Sequence, residues 1–116
     1  MARKNFVEQF KMLDAADIST NQTSELTNVL KLDQASIILE WSGSSPVGTV
    51  TVEARNGSDG NFYELDMGST ISISGNSGNH QLLFSEMPFS DIRLQYTSTS
   101  GTGSLTATIT SKTVGA

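Results

Sequence analysis

The sequence predicts an all-β domain, an antiparallel β-sandwich of the jelly-roll kind with a short N-terminal arm. Three observations predict it. From about residue 24 apolar residues recur at every second position, the period of a strand with one wet and one dry face. The alternating segments are short, and clusters of Gly, Asn and Ser separate them. The chain has 116 residues, one domain of ordinary size. No fixed-period repeat of the solenoid or propeller kind is present.

The elements follow in order. Phe6, Val7, Phe10 and Leu13 fall at i, i+1, i+4 and i+7, the spacing of a helix face. Residues 1–23 therefore read as a short helical docking arm with an extended polar link, and residues 24–116 as the sandwich. In residues 36–41, Ile37, Leu39 and Trp41 point inward, with Ile38 an apolar exception on the outer side. Residues 42–46 read as a break. In residues 48–55, Val50, Val52 and Ala54 point inward. The Asn56-Gly57 and Asp59-Gly60 pairs suit a hairpin turn leading into a strand at residues 62–66. Ile71 and Ile73 alternate, residues 75–79 form a loop, and residues 80–84 form a strand. Met87-Pro88-Phe89 reads as a hinge. Ile92, Leu94 and Tyr96 point inward, residues 98–103 read as a turn, and Leu105, Ala107 and Ile109 point inward opposite a row of threonines. The expected core is Leu39, Trp41, Val52, Leu94, Tyr96 and Ile109.

Composition narrows the function. There is no cysteine, which excludes disulfides and thiolate chemistry. No stretch reaches the roughly 20 apolar residues of a helical membrane span, and no apolar run follows the first basic residues as in a signal peptide. The net charge of −5 is opposite to that of a nucleic-acid binder and does not favour anionic lipid. Expected partners therefore include neither nucleic acid nor membrane. The charge is uneven: residues 1–11 carry Arg3, Lys4 and Lys11 against Glu8, a net of +2, and the remainder carries −7.

The sequence offers no enzyme constellation. His80 is the one histidine, so no His-pair metal site exists, and its place beside a Gly/Asn loop fits a loop edge. No serine sits in a nucleophile-elbow motif. Asp59, Asn61 and Asp66 could offer oxygen ligands to calcium, but the spacing is not that of an EF-hand and the turn explains them. Gly101-Thr102-Gly103 leads into a strand, whereas phosphate loops lead into a helix. No metal and no cofactor are expected. Trp41 and Tyr96 belong to the inward face. Tyr63 adjoins Phe62, and period 2 sends one of the pair outward, so Tyr63 is the aromatic candidate for surface recognition.

Three stretches carry a resemblance. They are residues 13–24, beginning Leu13-Asp14-Ala15-Ala16-Asp17; residues 37–53, beginning Ile37-Ile38-Leu39-Glu40-Trp41; and residues 88–107, beginning Pro88-Phe89-Ser90-Asp91. Together they resemble small virion structural proteins of tailed bacteriophages. The hairpin over residues 52–65 also looks like a unit of discoidin-like sugar-binding sandwiches.

The phage resemblance implies a non-enzymatic virion component, a capsid decoration (cement) or minor capsid protein made in the host cytoplasm. Its partner would be the major capsid protein or another virion protein, with self-association, a trimer being favoured. Arg3, Lys4, Phe6, Val7, Phe10, Lys11 and Leu13 would then form the partner-binding arm, its apolar residues giving burial and its charges orientation. On this reading residues 2–11 are dispensable for folding. The alternative is a carbohydrate- or host-receptor-binding module of a tail fibre, using the turns at residues 56–61, 75–79 and 98–103.

Overall fold

The computed structural model describes residues 5–28, 34–57, 60–65, 67, 70–84 and 90–114. Every regular element among them is a strand: β1 (Asn5–Asp17), β2 (Gln22–Thr23), β3 (Thr27–Asn28), β4 (Gln34–Arg55), β5 (Tyr63–Glu64), β6 (Ile71–Ile73), β7 (Ser77–Phe84) and β8 (Asp91–Val114). All the pairings are antiparallel. The all-β expectation holds.

Two long strands organise the molecule. β4 and β8 pair along nearly their whole length, from Gln34↔Lys112 to Arg55↔Asp91. The early half of β4 is flanked by β7, and the late half of β8 by β1. That makes a first leaf in the order β1-β8-β4-β7. The other halves carry β2 and β3 on the β8 side and β5 and β6 on the β4 side, making a second leaf. Both leaves contribute to a single buried cluster. Ile37 and Ile109 from the first leaf are 0% exposed, as are Val52 and Leu94 from the second. Side chains standing on one sheet reach that state only when a second layer covers them. The leaves therefore face each other as a sandwich made by folding one ladder.

The fold in the ladder explains two corrections. Residues 42–46 do not break the chain, and residues 98–103 do not reverse it; β4 and β8 run through both segments. The register shifts there instead. Three steps on β4 (Ser44 to Val47) match two on β8 (Thr102 to Ser100), and then one step on β4 (Val47 to Gly48) matches two on β8 (Ser100 to Ser98). Each strand thus holds one extra residue, and a bulge bends a strand while shifting its alternation. The buried positions accordingly move from Ala35, Ile37 and Leu39 to Val50, Val52 and Ala54 on β4, and from Ile92, Leu94 and Tyr96 to Leu105, Ala107 and Ile109 on β8. Parity changes while the dry side is kept. Gly101 sits in the bend with φ 81°, the left-handed region that glycine enters without strain.

The helix expected in the N-terminal segment is also corrected. Asn5–Asp17 is strand β1, paired with β8 from Asn5↔Val114 to Asp17↔Ser104. Bulges between Lys11 and Leu13 and between Leu13 and Ala16 put two neighbours, Met12 and Leu13, into the core together. The first bulge brings Leu13 to the inner side three positions after Phe10, and that step completes the spacing that imitates a helix. Ala15 takes the strained place in the second bulge, with φ 48°, and its N–H donates to Thr106 Oγ1 at 3.0 Å. The strand ends where Asp17 Oδ1 accepts from the Ser19 hydroxyl at 2.6 Å and the Ser19 N–H at 2.9 Å. These two bonds, the hydroxyl first, hold the Asp17 carboxyl below its ordinary value. Ile18, just beyond, is fully buried and its N–H reaches Gly103 O.

This pairing changes the expectation for deletion. Removing residues 2–11 would strip the ladder partners from Thr108–Val114 and leave a bare sheet edge. The expected result is a melting temperature lower by about 5 °C or more, read by calorimetry. An unchanged melting temperature would mean that the strand adds nothing to the isolated domain.

Of the six expected core residues, Leu39, Val52, Leu94, Tyr96 and Ile109 are buried. Trp41 is half-buried and packs against the cluster. Its Nε1–H donates to Ser74 O at 3.2 Å, and its ring lies so close to Gly78 that a Cβ there would overlap it. Burial pushes the Tyr96 phenol above its ordinary value, with an opposing contribution from Ser98.

Candidate functional site

The residues predicted for the arm separate into distinct environments. Arg3 and Lys4 lie outside the described residues. Phe6 and Val7 occupy β1 opposite Thr113 and Lys112. Leu13 is core, 7% exposed, and cannot present its side chain to a partner. Phe10 pairs with Ile109 on the inner side yet remains 42% exposed, because it sits on the edge strand at the rim of the core. Lys11 is exposed on the outer side and meets Asp14 Oδ1 at 3.4 Å. An exposed pair of that kind contributes little. Among the described residues the segment is an edge strand with Phe10 at the rim of the core and Lys11 projecting from its outer side, not a helical hook.

The outer face of the first leaf is built by register alone. One row across it runs Gln9, Thr110, Ser36, Leu83, and the next runs Lys11, Thr108, Ile38, Gln81. A third contains Thr106, Glu40 and Asn79, and the last runs Asp17, Ser104, Ser42, Ser77. Gln9 Nε2 donates to Thr110 Oγ1 at 3.2 Å. A shallow cleft of about 560 Å³ opens over the lower rows, bordered by Lys11, Glu40, Asn79 and Thr108. Hydroxyls and amides dominate this face. Among the residues whose side chains are described, its apolar members are Ile38, half-buried, and Leu83, which is 74% exposed. Sequence reading marked Ile38 as an exception but could not see Leu83 beside it, since the two come from different strands.

The outer face of the second leaf differs. Arg55 Nε meets Asp91 Oδ2 at 2.9 Å, and Arg93 Nε meets Glu53 Oε1 at 2.7 Å. Phe62 is placed against both guanidinium groups, with its ring centre 4.1 Å from Arg93 and 4.9 Å from Arg55. Such cation–π contacts attract the ring to both guanidinium groups. Ser90 ties the turn to this grid: its hydroxyl accepts from Gly57 N at 2.7 Å and donates to Arg55 O at 3.0 Å.

Phe62 takes the outer side, and Tyr63, whose register opposite Ala54 gives it the inner side at the rim of the sheet, is 69% exposed on the edge strand β5. It borders an open cleft of about 500 Å³ with Arg55, Asn56, Asn61 and Leu65. Asp59 and Asp66 lie outside the described residues, so the calcium alternative cannot be placed on the structure. Among the described residues no group of three His, Cys, Asp or Glu could hold a metal ion. His80 is exposed on β7 opposite Leu39.

No protein family and no curated protein matches the chain. Solved structures do share its fold. The SPBc2 prophage-derived protein YomS is 15% identical and superposes with a TM-score of 0.61, over 92% of this chain and 95% of that one. A chain of infectious bursal disease virus, Gx strain, is 13% identical with a TM-score of 0.60, over 95% of this chain and 33% of that one. A chain of the VP2 subviral particle of infectious bursal disease virus is 14% identical with a TM-score of 0.57, again over 95% and 33%. The chain thus spans about a third of the length of the infectious bursal disease virus chains. At these identities the fold is what is shared.

Proposed function

We propose that this protein is a non-enzymatic structural component of a virus particle, a decoration or minor capsid protein of a tailed bacteriophage. The observation that carries this reading is the end-to-end likeness to a prophage-derived protein, with neither chain left substantially uncovered. The same fold as a portion of chains from infectious bursal disease virus supports it, as does the phage-like character of three stretches of the sequence. The mechanism is adhesion. The polar outer face of the first leaf and the rim of β1 around Phe10 and Lys11 are the surfaces offered to the major capsid protein, another virion protein or a further copy. The protein would then reside in the virion.

Mass spectrometry of purified particles from a phage encoding the chain tests this directly. The expected result is the protein at a fixed copy number per particle, retained through density-gradient purification. Its absence from intact particles would overturn the reading.

A second reading, a carbohydrate- or receptor-binding module, is favoured by one observation: Tyr63 is exposed beside the amides of Asn56 and Asn61 around an open cleft. An aromatic face with flanking amides can bind a sugar ring. A glycan array separates the readings, since binding that is lost in Tyr63→Ala supports recognition and silence supports structure.

A further inference from the structure

We propose that Asn56-Gly57 is a self-modification site, a pair able to close into a cyclic imide, and that the Ser90 hydroxyl holds it shut. Nothing in this chemistry depends on the particle-building reading.

The reaction follows from the residue pair. Asn56 is followed by glycine, and no other asparagine of the chain is. Once its proton is lost, the backbone nitrogen of Gly57 can attack Asn56 Cγ. A bond forms between Gly57 N and Asn56 Cγ, the bond from Cγ to Nδ2 breaks, and Nδ2 takes up a proton and leaves as ammonia. Water then opens the imide. Opening at Cγ gives aspartate. Opening at the main-chain carbonyl gives isoaspartate, in which the chain runs through Cγ. A side chain on the attacking residue would crowd this step, and glycine has none. Both residues are exposed, and a Cβ at Gly57 would meet nothing within 4 Å, so water reaches the pair.

The fold decides where the Gly57 proton sits. Gly57 N–H donates to Ser90 Oγ at 2.7 Å, from 33 residues away in the chain. Ser90 has a single hydroxyl proton, and two acceptors compete for it: Arg55 O at 3.0 Å and Asp91 Oδ2 at 3.2 Å. Toward Gly57 the oxygen therefore presents a lone pair. A lone pair there favours the N–H and opposes the anion that ring closure needs. Ser90 is itself fixed, because its own N–H donates to Arg55 O at 3.0 Å and Arg55 is tied to Asp91 at 2.9 Å. Gly57 O accepts from Gly60 N at 3.0 Å, which holds Gly57 at its carbonyl as well. To reach Asn56 Cγ, Gly57 N must turn away from Ser90 and give up that bond. The product would carry a new negative charge beside the Arg55–Asp91 pair. Its isoaspartyl form also lengthens the main chain where β4 enters the turn, so each such conversion removes its own restraint.

Mass spectrometry tests the proposal by reading the gain in mass when an amide becomes a carboxylate. The purified full chain is incubated in mildly alkaline buffer below its melting temperature and then digested. A synthetic peptide of residues 53–58 supplies the unrestrained rate. The wild type should convert at Asn56 more slowly than the peptide by about tenfold or more, since the turn must first open. Ser90→Ala should speed Asn56 by about 2- to 10-fold, the worth of one hydrogen bond, while Asn61, Asn76 and Asn79 keep their rates. Ser90→Cys keeps the volume but offers a poor acceptor, and should speed Asn56 likewise. Ser90→Thr keeps the hydroxyl and should stay near the wild-type rate. Thermal melts show which variants are folded, and either Ser90→Ala or Ser90→Cys suffices. Wild-type conversion at the peptide's rate would overturn the proposal, as would an unchanged rate in a folded Ser90→Ala or Ser90→Cys. Faster conversion at all four asparagines would also overturn it, because that reports a loosened domain rather than a released Gly57.

Discussion

Truncating Ile109 to Ala is expected to cost about 2–5 kcal/mol of folding stability, measured by chemical denaturation. Ile109 is fully buried and lies in register between Ile37 and Phe10. The second leaf covers it from above. Its loss leaves a cavity bounded by two sheets, and sheets fixed by ladders on both sides close in poorly around a void. A domain of this size has only about 5–15 kcal/mol in total, so the variant would lose a large share. A loss below about 0.5 kcal/mol would mean that the leaves do not close over this position.

Placing a methyl group at Gly101 is expected to be worse. The Gly101→Ala variant would hold an L-residue at φ 81°, costing about 1–2 kcal/mol for the left-handed backbone alone. Its Cβ would also overlap Ser45 O and stand 2.8 Å from Pro46 Cα. Ser45 is itself held at φ 51°, so the opposing strand has little room to yield. The expected total exceeds about 3 kcal/mol, within reach of unfolding the domain. Gly57→Ala is the control. Its φ is 87°, yet a Cβ there meets nothing within 4 Å, so it should show the backbone cost without the clash. Equal losses at the two sites would show that the bend is not tightly packed.

Much of this architecture was legible in the sequence, and the exceptions have one cause. The inward faces of β4 and β8 were read correctly because period 2 survives wherever a strand is regular. Leu39, Val52, Leu94, Tyr96 and Ile109 follow from that rule. β1 was misread because two bulges set Met12 and Leu13 side by side in the core. The Gly/Ser clusters at residues 42–46 and 98–103 were read as breaks because a bend and a reversal need the same small residues. Which one forms depends on whether the partner strand bends at the same place, and that is not local information. The exposure of Tyr63 was expected from its neighbour Phe62, but alternation sends Phe62 to the outer face, and Tyr63 is exposed because β5 lies at the edge of the sheet. The face containing Ile38 and Leu83 was not expected, because four distant segments must be laid in register before it exists.

The paired bulges in β4 and β8 set a rule for length variation in this chain. A bulge holds one residue more than the pairing needs, so deleting one from residues 98–100 alone would let a single step on β8 match the step from Val47 to Gly48 and would leave Ile92, Leu94 and Tyr96 on the same side as Leu105, Ala107 and Ile109. Deleting one from residues 45–46 alone would do the same for β4. A deletion in the regular part of either strand would instead turn the alternation inside out on one side of it. Natural variants should therefore lose single residues at the crease, or vary in the exposed loops, and keep their length along the rest of β4 and β8.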